Sequence, residues 1–116
     1  NADRMNLQKL AEQTRKVVES ARNGKLEGLG QGIFTITNLG MFGSEEFSAI
    51  INPPESAILA VGAIGEGVLV ENGAIRATKL MTMNLSVDHR VIDGVKAALF
   101  LNRVQELLED PEKLVS

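Results

Sequence analysis

Leu85-Ser86-Val87-Asp88-His89-Arg90-Val91-Ile92-Asp93-Gly94 carries an alternating strand straight into the start of a helix. Upstream, the spacing predicts a strand over Leu80 to Val87, with Leu85 and Val87 alternating against Ser86. Downstream, apolar residues at 95, 98, 99, 101, 104, 107 and 108 predict a helix over Val95 to Glu109, capped by Asp93 and ended by Asp110-Pro111. A strand-to-helix corner holds a side chain firmly while leaving it free to reach a substrate. The corner contains His89, the only histidine of the chain. Imidazole titrates near pH 6.5 in the absence of perturbation, which suits proton transfer at neutral pH.

Working back from this corner, Asn72-Gly73 between Val68–Glu71 and Ala74–Thr78 is the strongest short hairpin signal. Ala57 to Ile64 is continuously apolar, as expected of a strand buried on both faces. Asn52-Pro53-Pro54-Glu55 breaks the chain before it, and Phe47 to Ile51 reads as a short strand. Ile33 to Thr37 alternates, with Phe34 and Ile36 on one face and Thr35 and Thr37 on the other. The glycines of Asn38-Leu39-Gly40-Met41-Phe42-Gly43 permit a tight loop. Leu7, Leu10, Ala11, Thr14, Val17, Val18 and Ala21 mark an amphipathic helix that Asn6 caps and Gly24 ends. Strands lying between two helices favour an α+β architecture, helices on one face of a largely antiparallel sheet.

Composition narrows the chemistry. The 116 residues suit one domain, 1–116, and 44% hydrophobic residues exclude a disordered chain. With no cysteine and one histidine, thiolate nucleophiles, sulfur-ligated metals and multi-histidine metal sites are excluded, and no metal is expected. A net charge of −3 without a basic stripe argues against nucleic acid. The longest apolar run, Ala57 to Gly65, falls well short of the roughly 20 residues that span a bilayer, so no membrane partner is expected.

His89, read alone, is also compatible with a hydrogen-bonded structural role at a strand end. Asp93 has two readings, orienting the histidine or capping the helix, and capping comes first because a helix start there calls for an acid. Thr37 read alone is an ordinary strand residue.

Taken together, the motifs have a familiar order. Asp88 to Gly94, preceded by Leu85-Ser86-Val87, resembles the active-site signature of the dihydrolipoamide acyltransferases, core subunits of 2-oxo acid dehydrogenase complexes. Phe34 to Gly43, Ile50 to Glu55 with Ala57 to Gly62, and Leu107 to Pro111 resemble three further signatures of that family, in register along the chain. The resemblance implies a two-layer helix-on-sheet sandwich of the chloramphenicol acetyltransferase-like type. It covers the C-terminal half of a catalytic domain roughly twice this size, and the absence of an initiator methionine favours a fragment.

For function, the resemblance implies transfer of an acetyl (acyl) group between dihydrolipoyl-lysine and coenzyme A. His89 would be the general base on the thiol, Thr37 the oxyanion donor, and Asp93 a further site residue. Coenzyme A would be a substrate, and the lipoyl group would be carried on a separate domain; the residues contacting coenzyme A are not assigned. Homotrimers would join His89 of one chain to Thr37 of its neighbour and build a cubic or dodecahedral core that binds dehydrogenase subunits. The Asn38–Gly43 loop looks closer to the acetyl-transferring members. The expected compartment is a bacterial cytoplasm, with the mitochondrial matrix as the alternative. The competing expectation is a catalytically silent scaffold fragment of the same core.

Overall fold

A computed structural model describes residues 1–115 of the chain. The chain forms two compact units, one made of residues 33–105 and the other of residues 1–32 with the stretch that begins at Glu106.

The larger unit is built around β2 (Ala57–Val61), the uninterrupted apolar run of the sequence. Strand β1 (Thr35–Asn38) pairs parallel to it, Thr37 opposite Ala60, and β5 (Met83–Val87) pairs antiparallel, Ala57 opposite Val87. The order β1-β2-β5 leaves β2 in the centre, paired with a strand on each side. Among the described residues, Ala57, Ile58, Leu59 and Ala60 are the buried apolar ones, between 1% and 7% exposed. Strand registers put Phe34, Ala57, Leu85 and Val87 on one face, where Ile92, Ala97 and Phe100 join them around an apolar cavity of about 310 Å³. The rings of Phe34 and Phe100 meet at 5.8 Å and 56°, a tilted aromatic contact. Helix α2 (Gly94–Glu109) contributes Ala97 and Phe100 from its first turns.

The second face of the sheet carries Thr35, Thr37, Ile58, Ala60, Asn84 and Ser86. Phe47 to Ile51, expected as a strand, forms no ladder. Its carbonyls are taken by side chains of β5 instead: Asn84 Nδ2 donates to Phe47 O at 2.8 Å and Ser86 Oγ to Ala49 O at 2.9 Å. Side-chain donors replace the backbone amides that a strand partner would have supplied.

The hairpin is as the sequence indicates but longer. β3 (Gly65–Glu71) and β4 (Ala74–Leu80) enclose Asn72 and Gly73, whose φ angles of 51° and 78° define a type I′ turn. It is a separate two-stranded sheet, not part of the first, which corrects the expectation of one sheet. Leu80 accordingly belongs to β4, opposite Gly65, and β5 starts only at Met83.

In the smaller unit, α1 (Leu7–Arg22) starts where Asn6 Oδ1 accepts the Lys9 amide at 2.9 Å, and Gly24 takes φ 78° just past its end. A short helix, α3 (Glu112–Val115), follows Pro111, with Lys113 and Asp110 paired at 3.3 Å.

Gly62 sits where the Ser44–Glu45 backbone crosses the end of β2; Ala63 N donates to Ser44 O at 2.7 Å. A methyl group at position 62 would collide with the Glu45 carbonyl, whereas one at Gly65 meets open space. Gly62→Ala is therefore expected to cost about 2 kcal/mol or more, and Gly65→Ala less than about 0.5 kcal/mol, in urea unfolding.

Candidate active site

His89 lies in the turn just past β5 and is exposed. Two backbone bonds tie this turn down: Asp88 N donates to Ser56 O at 2.8 Å, and Ile92 N to Asp88 O at 3.0 Å. The Asp88 carboxylate closes the turn over its top. Oδ1 accepts both the Arg90 amide and Arg90 Nε at 3.0 Å, and Oδ2 accepts Nη2 at 2.8 Å. Sequence alone leaves these two flanking residues free to pair elsewhere; in the fold they pair with each other across the histidine. The forked guanidinium matches a carboxylate bidentately, which no lysine would do. The Arg90 side chain, followed by its amide, holds the Asp88 carboxyl down at about 2.

Asp93 caps α2: its Oδ1 accepts the Lys96 amide at 2.8 Å, and Oδ2 lies 3.8 Å from Lys96 Nζ. Both oxygens thus face Lys96, and the side chain serves the helix start.

A cavity of about 530 Å³ opens beside the imidazole, walled by Ile51, Pro53, Pro54, Glu55, Val87, Asp88, His89 and Arg90. The Pro53-Pro54-Glu55 turn, closed by Glu55 N on Asn52 O at 2.9 Å, forms the wall contributed by another part of the chain. Sequence reasoning does not single out Glu55 as a site residue. Its carboxylate Oε2 accepts the Thr35 hydroxyl, which anchors the acid to β1. The signal was present in the strand period: Thr35 shares a face with Thr37, and a polar residue there needs a partner.

Thr37 is not brought to His89 within one copy of the chain. It stands opposite Ala60, which stands opposite Asn84. From Asn84 to the end of β5 at Val87 is roughly 10 Å along the strand, and two strand spacings add roughly 10 Å across the sheet. Thr37 is not among the walls of the His89 cavity. The hydroxyl at the His89 end of β1 is that of Thr35.

The catalytic-domain family model of the 2-oxoacid dehydrogenase acyltransferases matches residues 1–116. The dihydrolipoyllysine-residue succinyltransferase component of the 2-oxoglutarate dehydrogenase complex of Haemophilus influenzae is 44% identical over 117 residues, covering 99% of this chain and 29% of the relative. Among solved structures, the dihydrolipoamide acetyltransferase of Azotobacter vinelandii superposes with a TM-score of 0.89 at 36% identity. The cubic core of a pyruvate dehydrogenase multienzyme complex gives 0.89 at 35%. Each superposition covers 100% of this chain and 49% of the other. The chain thus spans under a third of that curated relative and about half of each solved structure.

The depressed carboxyl of Asp88 fixes the sign of an acid effect. Its folded pKa of about 2 lies below the ordinary 3.8, so the Asp88–Arg90 pair contributes stability above the ordinary value and loses it as pH falls through about 2. In a carboxyl-carbon NMR titration Asp88 is expected to have its midpoint near 2, and Arg90→Gln is expected to move it back towards 3.8. Asp93→Ala is expected to destabilise by about 1 kcal/mol in urea unfolding, while Asp93→Asn keeps most of the cap.

Proposed function

Because this chain belongs to the 2-oxoacid dehydrogenase acyltransferase family, we propose that it carries the histidine half of a thioester-exchange site. The reaction moves an acetyl group between dihydrolipoyl-lysine and coenzyme A. The observation that carries this reading is His89, exposed on a turn braced by Asp88–Arg90 and open to a cavity of about 530 Å³.

The chemistry follows from the groups available. A thiol of ordinary acidity, near pKa 8.5, is mostly protonated at neutral pH, and the imidazole of His89 takes that proton. The sulfur then attacks the thioester carbonyl carbon; a new carbon–sulfur bond forms and the carbonyl oxygen becomes an oxyanion. As the tetrahedral intermediate collapses, the old carbon–sulfur bond breaks and the imidazolium returns its proton to the departing thiolate. No atom is gained or lost by the protein. The hydroxyl of Thr37 donates to the oxyanion, and it comes from a second copy of the chain. The separation of Thr37 from His89 along and across the sheet supports that arrangement, since one copy does not supply both. Asp93 acts as a positioning residue, holding the start of α2 and with it the His89 turn.

The chain is the C-terminal part of a chloramphenicol acetyltransferase-like domain, a two-layer sandwich of which the rest lies outside these residues. It works as a homotrimer within a larger core, alongside lipoyl domains and dehydrogenase subunits, in a bacterial cytoplasm or a mitochondrial matrix. The likeness to a cubic core structure supports the assembly. Uncovered apolar side chains such as Ile36, Phe42 and Ile50, 66% to 92% exposed, support extensive contacts with other protein surface.

In the full-length assembled protein that carries this chain, His89→Ala is expected to abolish acetyl transfer from acetyl-coenzyme A to dihydrolipoamide while the assembly sediments normally. Thr37→Ala is expected to lower kcat roughly 10²–10³-fold, and Thr37→Ser to retain most of it. Retained turnover in the His89 variant would overturn the assignment.

A further inference from the structure

We infer that Glu55 sets acyl selectivity at this site, excluding acyl groups that end in a carboxylate. The inference rests on the proposed role of His89, because it concerns what can approach that imidazole. Three observations lead to it.

The first is charge. The ionic side chains on the cavity wall are Glu55, Asp88 and Arg90, and Asp88 and Arg90 neutralise each other through a bidentate pair. Glu55 is left as the net charge of the wall. The second is fixation. Glu55 is half-buried, its backbone closes the Asn52–Glu55 turn, and its Oε2 is tethered by the Thr35 hydroxyl. A tethered carboxylate does not swing away from an incoming anion as a loose surface acid does. The third is lining. Apart from His89, the remaining wall is Ile51, Pro53, Pro54 and Val87, whose side chains accept a methyl group and offer a carboxylate no donor.

The size of the substrates makes these observations bear on selectivity. The thioester carbonyl has to reach the sulfur that His89 deprotonates. A succinyl group then carries its free carboxylate only three carbon–carbon bonds further, within the same cavity. An acetyl group ends in a methyl at the first of those bonds. Succinyl therefore brings a second negative charge into a partly enclosed space with one fixed already, and selectivity arises from repulsion of the wrong substrate. In this chain the choice between acetyl and succinyl then rests on one side chain.

The test uses the assembled full-length protein, with acetyl-coenzyme A and succinyl-coenzyme A as donors and free dihydrolipoamide as acceptor. The wild type is expected to favour acetyl. Glu55→Gln, which removes the charge and keeps an oxygen for Thr35, is expected to raise the succinyl-to-acetyl ratio of kcat/KM roughly tenfold. A structural lesion would lower both rates together and leave that ratio where it was. Should the variant not assemble, the wild type still decides the matter. Its succinyl-to-acetyl ratio is expected to rise with ionic strength as the repulsion is screened, the coenzyme's own phosphates cancelling between donors. A wild type that prefers succinyl, an unmoved ratio in assembled Glu55→Gln, or a ratio indifferent to salt overturns the inference. His89→Ala, run alongside, separates the two failures: its loss of turnover with an unmoved Glu55→Gln ratio removes the Glu55 inference alone, whereas its retained turnover removes the role of His89.

Discussion

Burial of one strand organises the larger unit. Ala57, Ile58, Leu59 and Ala60 lose nearly all of their contact with water, with β1 and β5 flanking them on either side. Each such side chain contributes on the order of 1 to 3 kcal/mol when fully buried, alanine less. The same pairing sets the register that delivers Val87 to the edge of the sheet opposite Ala57, and the His89 turn follows directly. The Pro53-Pro54-Glu55 wall runs into β2 at that same Ala57 end, so strand and cavity wall are consecutive pieces of chain. Core and cavity are thus fixed by one register.

What the sequence made legible was whatever a local rule governs. The Asn6 cap, the Gly24 stop, the Asn72-Gly73 turn and the Asp93 cap all stand as read, because each depends on a few adjacent residues. Phe47 to Ile51 has strand composition, yet it forms no strand. Whether extended chain enters a ladder depends on a neighbour's free backbone groups, and here Asn84 and Ser86 answer with side chains. The merging of Leu80 into the strand before His89 fails for a similar reason: the hairpin claims Leu80 as the partner of Gly65.

The site was legible in part. His89 and its corner could be read from one stretch, whereas the Asp88–Arg90 pair and the Thr35–Glu55 tether are features of folded geometry. The second is the more instructive, since 20 residues separate its partners. Period-two alternation put Thr35 on a known face, but nothing in the order of residues says that a carboxylate from the proline turn reaches it. The distance between Thr37 and His89 likewise depends on strand order, which periodicity does not encode.

The attachment of Phe47–Ile51 to β5 has an experimental corollary. Both bonds engage carbonyl oxygens, and neither occupies an amide hydrogen of the segment. Deuterium uptake, which reports on amide hydrogens alone, is blind to such a tether. A segment stitched down in this way can label as quickly as a loose strap while staying in place beside the imidazole, so fast labelling there is no sign of an opening site.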